Sequence, residues 1–130
     1  MDPAAGKILI VDDEPPLLKM MSLYLGRLGY DVATAGGTDQ AWSLVEADPA
    51  GFAAAVLDAS MPGMSMPDLA ARLLAANPSL CVLAASGYPV DMTALTAAAP
   101  GRVEFLLKPF SPEMLATAIR RLGGAQEAAL

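Results

Sequence analysis

The feature that most constrains this fold is a short apolar run, residues 53–57, that stops at a single carboxylate, Asp58. Such a run is too short for an independent helix and is typical of a strand buried on both faces. A loop that contains Pro62 and Gly63 follows it. Because open α/β sheets bind ligands at the carboxyl ends of their strands, Asp58 lies where a ligand site is expected. The alternative is an aspartate that only caps a loop.

Similar apolar runs alternate with helical segments along the whole chain. The predicted strands are residues 7–11, 30–35, 53–57, 80–85 and 102–107. The predicted helices begin near residues 15, 39, 67, 91 and 112, several of them with proline in the first turn. Five strand–helix units in series imply a parallel sheet with right-handed crossovers and helices on both faces.

Helical spacing also predicts which side chains the first and last helices bury. In the first helix these are Leu17, Met21, Tyr24 and Leu28. In the last helix they are Met114, Leu115, Ala118, Ile119 and Leu122. Ser111 is expected to cap the last helix, and Gly123 and Gly124 to end it. Thr38 or Asp39 is expected to cap the second helix.

Length and composition limit the class of protein. With 130 residues the chain is expected to form one domain, with an ordered core over about residues 7–122 and a short tail over 123–130. The hydrophobic fraction is 55%, but prolines and glycines interrupt the long uncharged stretches, so no membrane span is predicted. No secretory signal is predicted at the N-terminus. Because few residues follow Gly123, we expect no output domain there, and either a stand-alone protein or an excised domain.

Charge and the rarer residue types exclude further classes. Eight basic and fourteen acidic residues give a net charge of −6, which argues against nucleic acid as a direct partner. The one cysteine, Cys81, excludes an internal disulfide and fits a reducing, cytoplasmic environment. Its place within a strand predicts an inert buried thiol. The chain has no histidine, so any histidine chemistry has to come from another chain.

Polar residues follow four of the predicted strands where each strand ends: Asp12 and Asp13, Asp58, Ser86, and Lys108. The carboxyl ends of parallel strands share one edge of a sheet, so these side chains are expected to converge. Three carboxylates close together repel each other and have to protonate or recruit a cation, and hard oxygen ligands favour Mg²⁺. A lysine and a hydroxyl beside a metal-bound carboxylate make a phosphoryl-transfer site, with an aspartate oxygen as the nucleophile.

The four motifs in this order resemble those of a response-regulator receiver domain of two-component signalling, over roughly residues 7–122. They are Asp12-Asp13, Asp58-Ala59-Ser60-Met61-Pro62, Ser86-Gly87 and Lys108-Pro109-Phe110. The resemblance implies a flavodoxin-like doubly wound α/β fold, with a five-stranded parallel sheet in the order 2-1-3-4-5. The run Ser86-Gly87-Tyr88-Pro89 is similar to that in receivers of hybrid kinases.

The resemblance also implies the role of each site residue. Asp58 would accept phosphate from the phosphohistidine of a partner kinase or phosphotransfer protein. Asp13, Asp58 and the backbone carbonyl of Ser60 would ligate Mg²⁺, with Asp12 acting through water. Such a protein is no turnover enzyme and has at most weak self-phosphorylation and self-dephosphorylation.

The resemblance implies three further roles, in phosphate binding and in the conformational switch. Ser86 is similar to the family's switching hydroxyl, Phe105 to its rotating aromatic side chain and Lys108 to its phosphate-binding lysine. The Lys108-Pro109 peptide bond is expected to be cis. The signal would leave through residues 90–99, the fifth strand and the last helix. Because this surface is poor in charge, we expect a downstream protein to bind it by apolar contact, and the unphosphorylated protein to be mainly a monomer.

The chain departs from the family pattern at Ser65-Met66, where an Asp-Gly pair is usual. Since glycine relieves a tight backbone, Met66 suggests a reshaped or mildly strained loop. It also gives some support to a receiver-like interaction module that does not use phosphate. A third class, aspartyl-phosphate hydrolases, usually carries a second acid two residues after the nucleophile, where this chain has Ser60.

Each site residue also has a structural interpretation. The acidic run 12–14 could cap the first helix, because acidic side chains favour that end. Lys108 could be a surface lysine, and Ser86 a turn residue. Phe105 is of a type found more often in cores than in switches.

Overall fold

The computed structural model describes residues 6–128 and contains one five-stranded sheet in which all strand pairs are parallel. The strand order is β2-β1-β3-β4-β5, so the predicted fold and order are confirmed. The strands are β1 (Lys7–Val11), β2 (Asp31–Ala35), β3 (Phe52–Asp58), β4 (Cys81–Ser86) and β5 (Val103–Leu107).

Five helices connect the strands or follow the last one, as the alternating pattern predicts. They are α1 (Pro15–Arg27), α2 (Thr38–Ala47), α3 (Met66–Ala76), α4 (Thr93–Ala98) and α5 (Pro112–Ala128). A short 3-10 helix, Pro49–Gly51, follows α2. Among the described residues, no helix combines the length and hydropathy that a membrane span requires.

The core consists of two clusters, one on each face of the sheet. Alternate residues of a strand point to opposite faces, so Ile8 and Ile10 lie in one cluster and Leu9 and Val11 in the other. One cluster includes residues of α2, α3 and α4, and the other includes residues of α1 and α5. The central strands are therefore buried on both faces, which explains their unbroken apolar runs.

Two predicted core positions are wrong. Leu28 is 42% exposed and Met114 is 49% exposed. Leu28 is the C-cap of α1, where the chain turns away, and Leu25 one turn earlier is fully buried instead. Met114 lies in the first turn of α5, and burial of that helix begins one residue later, at Leu115.

Helix ends differ from prediction at two places. The N-cap of α2 is Gly37, so neither Thr38 nor Asp39 caps that helix. The helix α5 runs to Ala128, past the glycines that were expected to end it. Glycine keeps its backbone N–H, so inside a helix it costs about 1 kcal/mol relative to alanine without breaking the hydrogen-bond ladder. The predicted cap at Ser111 is confirmed, since its hydroxyl accepts a hydrogen bond from the Met114 N–H at 3.1 Å.

Cys81 is the first residue of β4 and is buried. Burial raises the pKa of its thiol, and the nearby Arg102 guanidinium opposes this only in part. The thiolate that would make it reactive is therefore disfavoured.

Candidate functional site

Four strand ends meet at the carboxyl edge of the sheet. Asp12 directly follows β1, Asp58 ends β3, Ser86 ends β4, and Lys108 directly follows β5. The strand order places β3 between β1 and β4. Asp58 is therefore central, with the acidic pair on one side and the serine and lysine strands on the other.

Three carboxylates form a cluster at this edge. One side-chain oxygen from each of Asp12, Asp13 and Asp58 lies within 4.8 Å of the other two. Asp12 is 2% exposed and Asp58 is 7% exposed, whereas Asp13 faces solvent. Carboxylates this close repel each other, and the repulsion is stronger where water is partly excluded.

Local hydrogen bonds fix the two buried carboxylates. Asp12 Oδ1 accepts from the Glu14 N–H at 2.9 Å, and Asp58 Oδ1 accepts from the Ser60 N–H at 3.0 Å. Both bonds span two residues, as in the turns that aspartate commonly forms after a strand. The loop-capping interpretation of Asp58 is thus correct, but it accounts for only one of its two oxygens.

Lys108 supplies a positive charge to the cluster. Its Nζ lies 3.0 Å from Asp12 Oδ2 and 3.6 Å from Asp58 Oδ2. Burial works to lower the pKa of Lys108, but Asp12, Asp58 and Glu14 together raise it above its ordinary value. The side chain therefore remains an ammonium at neutral pH. The peptide bond from Lys108 to Pro109 is cis, as the resemblance implied.

Ser86 and Phe105 lie on neighbouring strands. The Ser86 side chain is buried, its hydroxyl accepts from the Tyr88 N–H at 3.1 Å, and its carbonyl accepts from the Lys108 N–H at 2.7 Å. Phe105 pairs with Ala84 of β4 and is partly buried against the cluster of α2, α3 and α4. The core interpretation of Phe105 therefore describes its contacts, and a role as a switch remains a prediction.

The loop between β3 and α3 begins with an Ala59 N–H that donates to the Ala85 carbonyl at 2.8 Å. Gly63 has φ +95°, and among residues 6–128 no residue other than glycine has a positive φ. Met66 is the first residue of α3 and is buried in the core. The expectation of strain at Met66 is therefore wrong, because Gly63 takes the left-handed conformation and leaves Met66 free to start a helix.

The donor set fits a hard divalent cation. Carboxylate oxygens are the ligands that Mg²⁺ and Ca²⁺ prefer, and three of them converge here without a sulfur or imidazole donor nearby in the described chain. Ser60, expected to add a backbone carbonyl, lies in the loop two residues after Asp58. A dication would relieve the repulsion that one lysine neutralises only in part.

Sequence reasoning missed two residues near the site. Glu14 was counted with a charge run, yet its negative charge helps to raise the pKa of Lys108. Both residues also line a cavity of about 380 Å³, together with Leu17 and Phe110. Thr38 was expected to cap α2, yet its hydroxyl accepts from the Met64 N–H, 26 residues away. The adjacency of Glu14 to the acidic pair was a usable signal for the first, whereas no local pattern reports the second.

Comparison with known proteins gives a consistent picture. A family model described as the response regulator receiver domain matches residues 8–120. The DNA-binding transcriptional regulator NtrC of Bradyrhizobium sp. (strain RP501 Parasponia) is 31% identical over 117 residues, which cover 90% of this chain and 24% of that protein. The chain spans about a quarter to a half of the length of the curated relatives it matches.

Two solved structures extend the comparison. A response regulator receiver domain protein from Clostridium thermocellum has the same fold, with a TM-score of 0.81, 23% identity, and coverage of 96% of this chain and 99% of that chain. A response regulator protein from Burkholderia pseudomallei was solved with a phosphorylated aspartic acid, a calcium ion and citrate. It has a TM-score of 0.75 and 26% identity, and the match covers 95% of this chain and 72% of that chain.

Proposed function

The chain belongs to the response regulator receiver domain family, and from that premise we propose that it is a phosphoacceptor switch centred on Asp58. The donor is the phosphohistidine of a partner kinase or phosphotransfer protein, since this chain has no histidine of its own. The observation that carries the proposal is the environment of Asp58, a buried carboxylate between two other carboxylates and a lysine. The phosphorylated aspartic acid of the Burkholderia pseudomallei protein supports the same chemistry.

In the proposed reaction an oxygen of Asp58 attacks the phosphorus atom of the phosphohistidine. An O–P bond forms and the N–P bond breaks, its electron pair returns to the imidazole nitrogen, and solvent protonates that nitrogen. Asp58 becomes an acyl phosphate. Lys108, already 3.6 Å from Asp58 Oδ2, would neutralise charge on the transferred group, and the Ser86 hydroxyl would donate a hydrogen bond to it.

Asp13, Asp58 and the Ser60 carbonyl would hold Mg²⁺, with Asp12 bound through water. When bound, the ion neutralises the carboxylates and the phosphoryl oxygens. Asp12 is already engaged, because it accepts from both Glu14 and Lys108, which agrees with an indirect role. Asp13 is exposed and gives the ion a route of access.

The proposed output surface consists of α4, β5 and α5. Tyr88, Leu107 and Met114 are exposed apolar side chains on or next to it, at 71%, 50% and 49%. Arg121 and Glu104 pair with each other, which leaves fewer charges on this surface for a partner. A downstream protein would therefore bind mainly by apolar contact, and the unphosphorylated chain would be mainly a monomer.

Movement of Ser86 towards the phosphate and rotation of Phe105 would change this surface, as a shift between two packings that phosphate biases. The phosphate-independent module drew its support from a reshaped or strained loop at Met66, and the helical position of that residue, without a positive φ, argues against the strain. No observation favours a hydrolase with steady turnover.

The test is phosphate incorporation from acetyl phosphate or a phosphorylated kinase. We expect Asp58→Asn to abolish incorporation, because an amide cannot form the acyl phosphate, and EDTA to abolish it in the wild-type protein. The control is Asp31→Asn, which changes an exposed acid on β2 and should incorporate phosphate normally. Labelling of Asp58→Asn under native conditions would contradict the proposal.

A further inference from the structure

A single hydrogen bond joins the loop between β3 and α3 to α2, a helix that is distant in the sequence. The Met64 N–H donates to Thr38 Oγ1 at 3.2 Å, and Thr38 is the first residue of α2 with only 6% of its surface exposed. The preceding residue, Gly63, lies against the same hydroxyl, since a Cβ placed there would be 2.8 Å from Thr38 Oγ1. The loop backbone therefore fits closely over this side chain.

The ends of the loop are held by other bonds. Ala59 donates to the Ala85 carbonyl, and Ser65 caps α3 by accepting from the Asp68 N–H at 3.2 Å. For residues 61–64, the described chain gives one hydrogen-bonded tether to the rest of the fold, the bond to Thr38. Met61 and Met64 also pack against the core, but apolar contact is not directional and does not orient a backbone carbonyl.

We propose that Thr38 is a positioning residue for phosphoryl transfer at Asp58. Its hydroxyl fixes the loop that carries Ser60, and thereby the direction of the Ser60 carbonyl towards the acidic cluster. Thr38 itself touches neither the phosphate nor the ion. The inference rests on the proposed function, because it assigns Ser60 to the Mg²⁺ site.

The physical argument is preorganisation. A loop that is already held in its binding geometry loses less conformational freedom when a ligand binds. Removal of the hydroxyl leaves the Met64 N–H without its partner and frees the middle of the loop. Removal of the hydroxyl should therefore lower both the affinity for Mg²⁺ and the rate of phosphate incorporation.

The test compares Thr38→Val, which keeps the side-chain shape without the acceptor, with Thr38→Ser, which keeps the acceptor. The control is Thr117→Val, an exposed threonine on α5 at the other face of the sheet. Mg²⁺ alone is titrated by amide NMR, which also reports the hydrogen exchange of the Met64 amide, and acetyl phosphate gives the incorporation rate.

In Thr38→Val we expect Mg²⁺ affinity and incorporation rate to fall about three- to tenfold, the size of one lost hydrogen bond. The Met64 amide should exchange faster even without metal. Thr38→Ser and Thr117→Val should stay within about twofold of wild type, because each keeps the acceptor at position 38.

Two outcomes would overturn the inference alone: a Thr38→Val protein that binds Mg²⁺ and takes phosphate like wild type, or a Thr38→Ser protein as weak as Thr38→Val, which would assign the effect to packing. A wild-type protein that binds no Mg²⁺ and takes no phosphate would overturn the proposed function and the inference with it. The failure of the proposed function can be distinguished from the failure of the inference, because the two outcomes for the Thr38 variants require a wild-type protein that binds Mg²⁺ and takes phosphate.

Discussion

The two edges of the sheet both bury polar side chains, and they differ in what those side chains bind. At the amino edge, Arg102 donates to the carbonyl oxygens of Leu80 at 3.0 Å, Asn77 at 2.8 Å and Leu74 at 3.3 Å. The Asn77 side chain in turn donates to the Phe52 carbonyl at 2.8 Å. These bonds join the C-terminal end of α3 to Phe52 of β3 and to the residues just before β4 and β5, and every acceptor is a backbone carbonyl that cannot ionise.

At the carboxyl edge, charged groups face each other instead. Lys108 pairs with Asp12 and Asp58 but not with Asp13, so its single positive charge leaves part of the negative charge of the three carboxylates unneutralised. Hydrogen bonds to backbone groups stabilise the fold. The repulsion between incompletely neutralised carboxylates destabilises it, and the binding of a cation or the addition of a phosphoryl group can relieve that repulsion. The comparison predicts that changes at one edge alter stability and changes at the other alter chemistry.

Among the substitutions, compared without metal, the largest effect on stability is expected for Arg102→Met. The substitution leaves three carbonyl oxygens without their charged donor and should lower the free energy of unfolding by about 2 kcal/mol, measured by urea denaturation. Phosphate incorporation per folded molecule should not change. The matched control, Arg120→Met, changes an exposed residue of α5 and should stay within about 0.5 kcal/mol of wild type.

Loss of incorporation in folded Arg102→Met protein would show that the two edges are coupled, contrary to the comparison.

A smaller effect of opposite sign is expected for Asp13→Asn in EDTA. Asp13 has no ion pair within the described residues, so its neutralisation relieves repulsion and should raise the free energy of unfolding by about 0.5 kcal/mol. Saturating Mg²⁺ should then stabilise wild type by about 2–3 kcal/mol at a hundredfold excess over its dissociation constant, and the variant much less.

Asp31→Asn is the control, because it removes an exposed acid from β2 outside the cluster and should keep the full Mg²⁺ effect. Equal stabilisation of Asp13→Asn and wild type by Mg²⁺ would remove Asp13 from the proposed metal site.

The smallest effect concerns pH. The folded-state pKa of Lys108 is raised above its ordinary value of 10.5, so its stabilising contribution is complete below that pH and is lost as pH rises above it. The difference in unfolding free energy between wild type and Lys108→Met, measured in EDTA, should therefore shrink above about pH 10.5. Lys19→Met, which changes an exposed lysine of α1, provides the reference series. A constant difference across this range would argue against the ion pairs of Lys108.

Much of the fold was predictable because its signals are local. Apolar runs gave the five strands, and proline and glycine marked most helix ends. The errors at Leu28 and Met114 lie at helix ends, where the apolar periodicity of the sequence extends beyond the part of the helix that packs on the core. The cap of α2 was missed because the Thr38 hydroxyl is used in a contact 26 residues away.

The candidate site was predictable because parallel topology brings the strand ends together. The positions after apolar runs predicted four of the site residues: Asp12, Asp13, Asp58 and Lys108. In the structure the three carboxylates lie within 4.8 Å of one another, and the Lys108 Nζ lies 3.0 Å from Asp12 and 3.6 Å from Asp58. The geometry at Met66 was not predictable, since the neighbouring Gly63 decides it. The network around Arg102 was missed because its partners are backbone carbonyls 22 to 28 residues away in the sequence, which no local pattern reports.

The most direct test of the account is chemical mapping of the phosphorylated residue. Wild-type protein is treated with acetyl phosphate and Mg²⁺, and the acyl phosphate is reduced with borohydride, which converts a phosphorylated aspartate to homoserine. Tandem mass spectrometry then locates the modified position. We predict homoserine at position 58 and none at Asp12, Asp13 or Asp31, with no conversion in EDTA. Homoserine at another aspartate, or none in the presence of Mg²⁺, would contradict the assignment of Asp58.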